Sequence, residues 1–244
     1  MSPGTDTLEV GGVRGPYAAP MSTYTGQVRP GGEAQSFEVG PLSITKVAVD
    51  EKMSNNCYLL RCTATGDQLL IDAADEAERL LAIIGEAGLT TVVTTHQHWD
   101  HHRALKAVVE ATGAVVAAGI ADAPAITEQT GVGVGRSLGH TDQVAVGQVL
   151  LDVIAVAGHT PGSICLAYRS PGGPTHLFTG DSLFPGGVGA TFGDAAAFAQ
   201  LIDEVETKIF GTLDDDTVFH PGHGNDGVLG NERPHLAEWR QRGW

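Results

Sequence analysis

The chain has 244 residues, of which 18% are charged, and its formal net charge is −15 at pH 7. This length suits one sizeable α/β domain, and the acidic balance argues against a nucleic-acid partner, because phosphate recognition requires a basic patch. No apolar run approaches the ~20 residues of a membrane span, and the N-terminus lacks the basic start and apolar core of a secretory signal, so we expect a cytoplasmic protein without a membrane partner. Its three cysteines lack the regular spacing of a disulfide framework.

Beta-rich and amphipathic segments alternate along most of the chain and predict an α/β fold. Residues 1–35, rich in Gly, Pro, Ser and Thr, predict a flexible N-terminal tail, and residues 36–244 predict one folded domain. The predicted strands, in chain order, are Leu42–Val49, Asn56–Cys62, Gln68–Asp72, Thr91–Thr95, Val115–Ala118, Val144–Val156, Ile164–Arg169, His176–Thr179 and Thr217–His220. The predicted helices are Asp75–Ala87, Arg103–Thr112, Asp194–Phe210 and Pro234–Arg240.

The most informative segment is HQHWDH, which runs from His96 to His101 directly after the predicted strand Thr91–Thr95. Burying imidazole and carboxylate groups is costly unless a partner or a metal ion uses their lone pairs, so a strand that ends in several of them places them in a cleft. His96 and His98 can converge on one ion, while Asp100 and His101 can turn toward a second. A chance cluster of surface histidines would rarely have this order and spacing.

Three later segments can supply the remaining ligands of a two-metal site, since each follows a predicted strand and is flanked by Gly or Pro. They contain His159 in GHTPGS, Asp181 in FTGDSLF, and both His220 and His223 in FHPGHG. Alone, each is a weak or moderate signal, because a His or Asp in a turn is commonly ordinary surface or a cap of its own backbone. The agreement of the segments predicts a metal centre.

The remaining histidines are predicted to lie outside this centre. His102 is expected to cap or solvate the following helix, His140 to lie in a polar turn, and His176 and His235 to lie at the surface or a strand edge. The Gly-rich stretch 184–193 lacks the lysine of a phosphate-binding loop and predicts a flexible loop that shapes the substrate pocket.

With these motifs the chain resembles the metallo-β-lactamase superfamily from about Phe37 to its C-terminus. The resemblance implies an αββα four-layer sandwich, with residues 36–244 as the catalytic domain. The ligands that it implies are His96, His98 and His159 for the first metal, Asp100, His101 and His223 for the second, and Asp181 as the bridge between them. Asp72 would brace the metal loops without being a ligand. His220 is the rival of His223, and the family's P-G-H-G pattern favours His223.

Asp181 argues against the true β-lactamases as the branch of the superfamily that the chain resembles. Two of their subclasses have Cys at this position, and the third lacks a bridging carboxylate. Flavodiiron relatives have Glu at the position of His98, so the histidine argues against that branch as well. The motifs are most similar to the glyoxalase II (hydroxyacylglutathione hydrolase) branch, which implies hydrolysis of a small-molecule thioester. Only 21 residues follow His223, so the helical C-terminal region with which glyoxalase II binds glutathione is expected to be largely missing. Another thioester, an ester or a lactone stays open as the substrate.

The ligand types indicate the chemistry. Neutral imidazole and carboxylate suit zinc, with iron or manganese as alternatives, and two divalent cations sharing a water lower its pKa toward neutrality. The resulting hydroxide is expected to attack a carbonyl carbon whose oxygen is polarised by one of the metals. Asp100 is assigned as the catalytic residue that orients the nucleophile.

Other functions would use the same residues. A persulfide dioxygenase of this superfamily would bind one iron through His96, His159 and Asp181, with open positions for dioxygen. Ring hydrolysis of a lactone or a β-lactam is a further alternative. A metal-stabilised binding protein without turnover is the least favoured, since no part of the site is missing. The hydrolase is preferred to the dioxygenase on motif resemblance more than on ligand chemistry.

Overall fold

The computed structural model describes residues 24–243. Residues 1–23 of the predicted tail lie outside the described residues, so its flexibility and its boundary at residue 35 stay predictions. The strands are β1 Gln35–Val39, β2 Leu42–Val49, β3 Asn55–Cys62, β4 Gln68–Ile71, β5 Thr91–Thr94, β6 Val115–Gly119, β7 Arg136–Leu138, β8 Gln143–Val146, β9 Val149–Ala155, β10 Ile164–Arg169, β11 Thr175–Gly180, β12 Leu183–Phe184, β13 Gly187–Val188, β14 Val218–Pro221 and β15 Gly227–Val228. The helices are α1 Ala77–Ile84, α2 Leu105–Thr112, α3 Ala123–Thr130, α4 Ala195–Glu204, α5 Leu229–Glu232 and α6 Leu236–Arg242.

Two mixed β-sheets form the middle of the fold. The first has seven strands in the order β1-β2-β3-β4-β5-β6-β7, and the second has six in the order β15-β14-β11-β10-β9-β8. In the first sheet β4, β5, β6 and β7 are parallel, and in the second β11 and β14 are parallel. Because the carboxyl ends of parallel strands meet at one edge of a sheet, the loops after β4 and β5 come together, as do those after β11 and β14.

Three apolar clusters show how the layers pack. Side chains from both sheets, including Leu60, Leu151 and Phe178, form the inner cluster. A second cluster packs the first sheet against α1, α2 and α3, and a third packs the second sheet against helices that include α4 and α6. Each sheet therefore has one face on the other sheet and one face under helices. The predicted α/β class and αββα sandwich are confirmed.

The sequence pattern did not predict some of the strands and helices, and it merged two strands into one. The predicted single strand Val144–Val156 is wrong: it is the hairpin of β8 and β9, which reverses at Gly147, where φ is 55°. The elements that were not predicted are β1, β7, β12, β13, β15, α3 and α5. Only Ala123 and Ile126 of α3 are buried, so its apolar periodicity is too weak to stand out in the sequence.

The helix bounds differ from prediction mainly at the N-termini. α1 begins at Ala77, after Glu76 with its left-handed φ of 50°, rather than at the predicted Asp75. Asp194 does cap α4, accepting hydrogen bonds from the backbone N–H groups of Ala196 and Ala197 at 2.9 and 3.0 Å. The predicted helix to Phe210 continues beyond α4 as a wider π-type turn, Val205–Phe210.

Two predictions about histidines outside the centre are wrong. His176 is buried rather than at the surface, because β11 lies inside the second sheet and its ring stacks on that of His220. His102 is also buried, and its Nε2 lies 3.1 Å from the carbonyl oxygen of Gln97, so it packs under the HQHWDH loop instead of solvating α2. Within residues 24–243, no helix is both long enough and apolar enough to cross a membrane.

Candidate metal centre

The candidate ligands gather where strands of both sheets end. The HQHWDH loop follows β5 of the first sheet, whereas His159, Asp181 and His223 follow β9, β11 and β14 of the second. Groups of three residues whose ligand atoms lie within 4.8 Å of one another could each hold a metal ion, and they are His96, His98 and His159; His96, His101 and Asp181; and Asp100, His101 and His223. All seven residues that the sequence predicts as ligands therefore lie together.

The first group consists of three imidazoles. Nε2 of His96 lies 3.1 Å from Nδ1 of His98 and 3.3 Å from Nε2 of His159. Their rings meet edge to face, with centroids 4.5–4.8 Å apart. The three nitrogens therefore point to one small volume, which is the arrangement of a three-histidine metal site.

The second group of proposed ligands, Asp100, His101 and His223, combines two imidazoles with a carboxylate. Nε2 of His101 lies 3.2 Å from Nε2 of His223. Oδ2 of Asp100 lies 3.6 Å from the former nitrogen and 3.5 Å from the latter. These donors suit a second divalent cation.

Asp181 lies between the two groups. Its Oδ1 is 3.4 Å from Nε2 of His101, and its Oδ2 is 3.6 Å from Nε2 of His159 and 3.5 Å from Nε2 of His223. The turn after β14 passes so close that a Cβ at Gly222 would come within 2.3 Å of Asp181 Oδ1 and 2.7 Å of the His101 ring. Only glycine fits at this position, so the sequence signal PGHG has a steric reason.

The hydrogen bonds on the outer nitrogens show that the site fits cations. His101 Nδ1 lies 2.8 Å from the Asp72 carboxylate, His223 Nδ1 lies 2.9 Å from the Met53 carbonyl oxygen, and His159 Nδ1 lies 2.8 Å from that of Ala190. Because these oxygens only accept, each Nδ1 donates, so Nε2 of each ring faces the other ligand atoms and offers its lone pair when the ring is neutral. Within residues 24–243 the buried Oδ1 of Asp181 also has no hydrogen-bond partner. Converging imidazole nitrogens and carboxylate oxygens favour a cation at the centre of the site.

The pKa values of the histidines differ between the first and the second group. Burial, reinforced by the neighbouring imidazole His101, lowers the pKa of His96 well below its usual value, and burial lowers the pKa values of His98 and His159. Burial would also lower the pKa of His223, but hydrogen bonds to Asp100 and Asp181 raise it to about 9. The first group is thus neutral at pH 7, whereas the second attracts protons when it holds no cation.

Several supporting residues were not predicted. Asn55 Nδ2 donates to Asp100 Oδ2 at 2.9 Å and orients that carboxylate. The carbonyls of Met53 and Ala190 hold two imidazoles, and main-chain acceptors leave no signature in the sequence. The predicted flexible stretch 184–193 contains Ala190, and its first half includes the hairpin of β12 and β13.

The structure also shows where Asp72 and His220 lie relative to the proposed ligands. Asp72 accepts from the Thr95 N–H at 2.7 Å and the Thr95 hydroxyl at 2.8 Å, besides its contact with His101, so it braces the metal loop. His220 lies elsewhere, with Nε2 3.0 Å from His176 Nδ1 and Nδ1 2.9 Å from Asp226 Oδ2. The structure therefore brings His223, and not His220, beside His101.

Known proteins are similar to this chain in sequence. The hydroxyacylglutathione hydrolase of Polaromonas sp. (strain JS666 / ATCC BAA-500) is 36% identical over 185 residues, which are 74% of this chain and 65% of that protein. The chain thus spans slightly less than two thirds of that relative's length.

Solved structures agree with the fold. ETHE1 from Myxococcus xanthus has 30% sequence identity and a TM-score of 0.68 over 81% of this chain and 84% of its own. TTHA1623, solved in a di-iron-bound form, has 30% identity and a TM-score of 0.59 over 77% of this chain and 96% of its own. The sequence model described as "Metallo-beta-lactamase superfamily" matches residues 51–228, which contain every candidate ligand. The chain therefore belongs to the metallo-beta-lactamase superfamily.

Proposed function

We propose that this chain is a dinuclear metal-dependent hydrolase that cleaves a small-molecule thioester or a related ester. The observation that carries the proposal is the pair of three-donor groups joined by the single carboxylate of Asp181. The relative named hydroxyacylglutathione hydrolase supports a thioester as the substrate class.

The proposed ligands follow the geometry. One ion would be held by the first group, His96, His98 and His159, and the other by the second group, Asp100, His101 and His223. Asp181 would bridge them, since its carboxylate oxygens lie near nitrogens of both groups. Zinc suits these imidazole and carboxylate donors. The di-iron-bound form of TTHA1623 supports iron as the alternative, and manganese is a third possibility.

When bound, two such cations supply a hydroxide at neutral pH and polarise a carbonyl group. The chain's own contribution is to fix the donors in place through the bonds on their outer nitrogens. Burial would raise the pKa of Asp100, but its hydrogen bond with His223 and the charge of His101 hold that pKa below its usual value. Asp100 is therefore an anion at neutral pH, and we assign it the catalytic role of accepting a hydrogen bond from the attacking water and orienting it.

A substrate panel tests this function. The full chain, loaded with zinc, would be assayed with S-acyl glutathiones, thioesters of other thiols, oxygen esters, lactones and β-lactams. We expect hydrolysis of at least one thioester, with kcat/KM reduced roughly 100-fold or more in His98→Ala but unchanged in His140→Ala, whose histidine is exposed and outside the centre. Hydrolysis of none of these compounds by protein that holds two ions would contradict the proposal.

A dioxygenase acting on a persulfide is the second candidate. His159 Nε2 lies 3.3 Å from His96 Nε2 and 3.6 Å from Asp181 Oδ2, so these residues could form a two-histidine, one-carboxylate face for iron. Oxygen uptake by the iron-loaded protein with glutathione persulfide distinguishes the two functions. Uptake without thioester hydrolysis would favour the dioxygenase and overturn the hydrolase.

A further inference from the structure

Asp122 is a fully buried carboxylate to which the proposed reaction gives no role. It lies directly before α3, yet its side chain does not cap that helix. A buried carboxylate is costly unless its oxygens accept several hydrogen bonds. Its contacts therefore indicate what it does.

The carboxylate of Asp122 joins two loops. Oδ2 accepts hydrogen bonds from the Gln97 N–H at 2.9 Å and from the Thr160 hydroxyl at 2.5 Å, and Oδ1 accepts from the Gly162 N–H at 2.7 Å. Gln97 lies between His96 and His98, and Thr160 follows His159. One side chain thus links the two segments that carry all three donors of the first group.

The close packing around Asp122 leaves the turn after His159 little room to move. A Cβ at Gly162 would come within 2.3 Å of the Asp122 backbone nitrogen, and a Cβ at Gly119 within 1.9 Å of the Gly162 carbonyl oxygen. The hydroxyls of Thr160 and Ser163 lie 2.6 Å apart. Because the Thr160 hydroxyl donates to Asp122, the Ser163 hydroxyl donates to Thr160, and the turn after His159 is fixed through a chain of hydroxyls.

We propose that Asp122 is the positioning residue of the first metal group, setting the distance of His159 from His96 and His98. Its role parallels that of Asp72, which holds the second group through His101. Removal of a residue that orients metal ligands typically weakens metal binding by about 10–100-fold. The inference rests on the ligand assignment made in the proposed function, but it does not depend on the substrate.

The test measures two zinc dissociation constants. The full chain, stripped by a chelator, would be titrated with zinc in competition with a chromophoric chelator, and the visible spectrum of the cobalt-substituted protein would report ligand geometry. His98→Ala identifies which constant belongs to the first group. In Asp122→Asn, the side-chain NH2 faces one of the three hydrogen-bond donors that Asp122 accepts from, so the link is broken. We therefore expect the dissociation constant of the first group alone to rise by about 10–100-fold.

Matched variants separate positioning from general stability. Thr160→Val removes the hydroxyl bond at nearly constant volume, and Thr160→Ser restores it, so the first should weaken the same constant and the second should recover it. Asp142→Asn, which changes an exposed turn aspartate that accepts from Gly139 N–H at 2.7 Å, should change neither constant. If Asp122→Asn fails to fold, the Thr160 pair decides.

Three results would overturn the inference: equal weakening of both constants, wild-type constants in Asp122→Asn, or no difference between Thr160→Val and Thr160→Ser. If the wild type binds two ions in the expected way but hydrolyses no thioester, the proposed function fails and this inference stands. If His98→Ala still binds two ions with wild-type constants, the ligand assignment fails, and both are rejected.

Discussion

Each imidazole whose outer nitrogen donates to a carbonyl or carboxylate directs its inner nitrogen to the centre of the site, where the neutral ring offers a lone pair, and this arrangement determines what the residues can do. The ligand types could be predicted, because H-x-H-x-D-H and PGHG are unusual patterns with a chemical reason. Their supports could not be predicted in the same way. Asn55 is separated from Asp100 by 45 residues, and the carbonyls of Met53 and Ala190 belong to residues of unremarkable type.

Replacement of His98 tests the ligand set directly. His98→Ala removes one of the three donors of the first group, and we expect metal content, measured by atomic absorption, to fall from two ions per chain to about one. His140→Ala is the control, since that histidine is exposed in a turn. Full metal content in His98→Ala would show that the first group is assigned wrongly.

The pKa of His223 predicts a pH dependence. Its folded pKa, about 9, lies above the usual 6.5 because Asp100 and Asp181 outweigh the effect of burial. In metal-stripped protein, protonated His223 therefore stabilises the fold fully below pH 6.5, and this contribution is lost as the pH rises through 9. A cation must displace that proton, so affinity for the second ion should rise with pH up to about 9.

Affinity for the first ion should depend less on pH. The pKa values of His96, His98 and His159 are lowered, so protons do not compete with the ion for these nitrogens near neutrality. Calorimetric zinc titrations in buffers of different ionisation enthalpy measure the protons released at each step. We expect release mainly with the second ion; equal release at both steps would contradict the assignment of the charges.

At the scale of elements, the parallel pair β4–β5 places Asp72 beside the HQHWDH loop, and the parallel pair β11–β14 brings the loops of Asp181 and His223 together. The sequence predicts these strands well, because they are short apolar runs bounded by turn residues. It fails where an apolar run contains a tight reversal, as at Gly147, and where a helix such as α3 has few buried residues. Periodicity reports burial, so weakly buried elements are the ones it misses.

The N-terminal cap of α4 gives a stability prediction. Asp194 accepts two backbone N–H groups, and Asp194→Ala should lower the free energy of unfolding by about 1 kcal/mol, measured by urea denaturation. Asp216→Ala, at an exposed aspartate between elements, is the matched control and should change it little. Equal effects of the two substitutions would show that the cap contributes nothing.

The tight turn after β14 predicts a larger effect. Gly222→Ala would place a methyl group 2.3 Å from Asp181 Oδ1, so the loop carrying His223 must shift. We expect loss of the second ion and a drop in the midpoint of thermal unfolding. Gly224→Ala is a useful comparison, because its Cβ would meet no atom within 4 Å, although its φ of 74° adds backbone strain. Retention of both ions in Gly222→Ala would contradict the close approach.

Across the whole molecule, the proposed metal groups join the two sheets, since each takes ligands from the HQHWDH loop of the first sheet and from a loop of the second. The αββα fold was predictable from motif order together with the alternation of strands and helices. The substrate was not, because no described side chain has a signature that specifies a thiol carrier. Cations at this junction should hold the halves of the sandwich together.

Metal removal should therefore destabilise the whole fold. Ligand binding to the native state adds about 2.7 kcal/mol at a free concentration roughly 100 times the dissociation constant. We expect chelation to lower the midpoint of thermal unfolding, and zinc to restore it in the wild type but only in part in His98→Ala. An unchanged midpoint on complete metal removal would show that the ions do not bridge the sheets.

The central claim, that two ions held by these residues support hydrolysis, is tested most directly by activity as a function of metal content. Metal-stripped protein would be titrated with zinc, and hydrolysis of a thioester found active in the panel would be measured after each addition. We expect the rate to rise to its maximum at two ions per chain. A maximum at one ion per chain, or a rate in the metal-stripped protein equal to that at two ions, would contradict the claim.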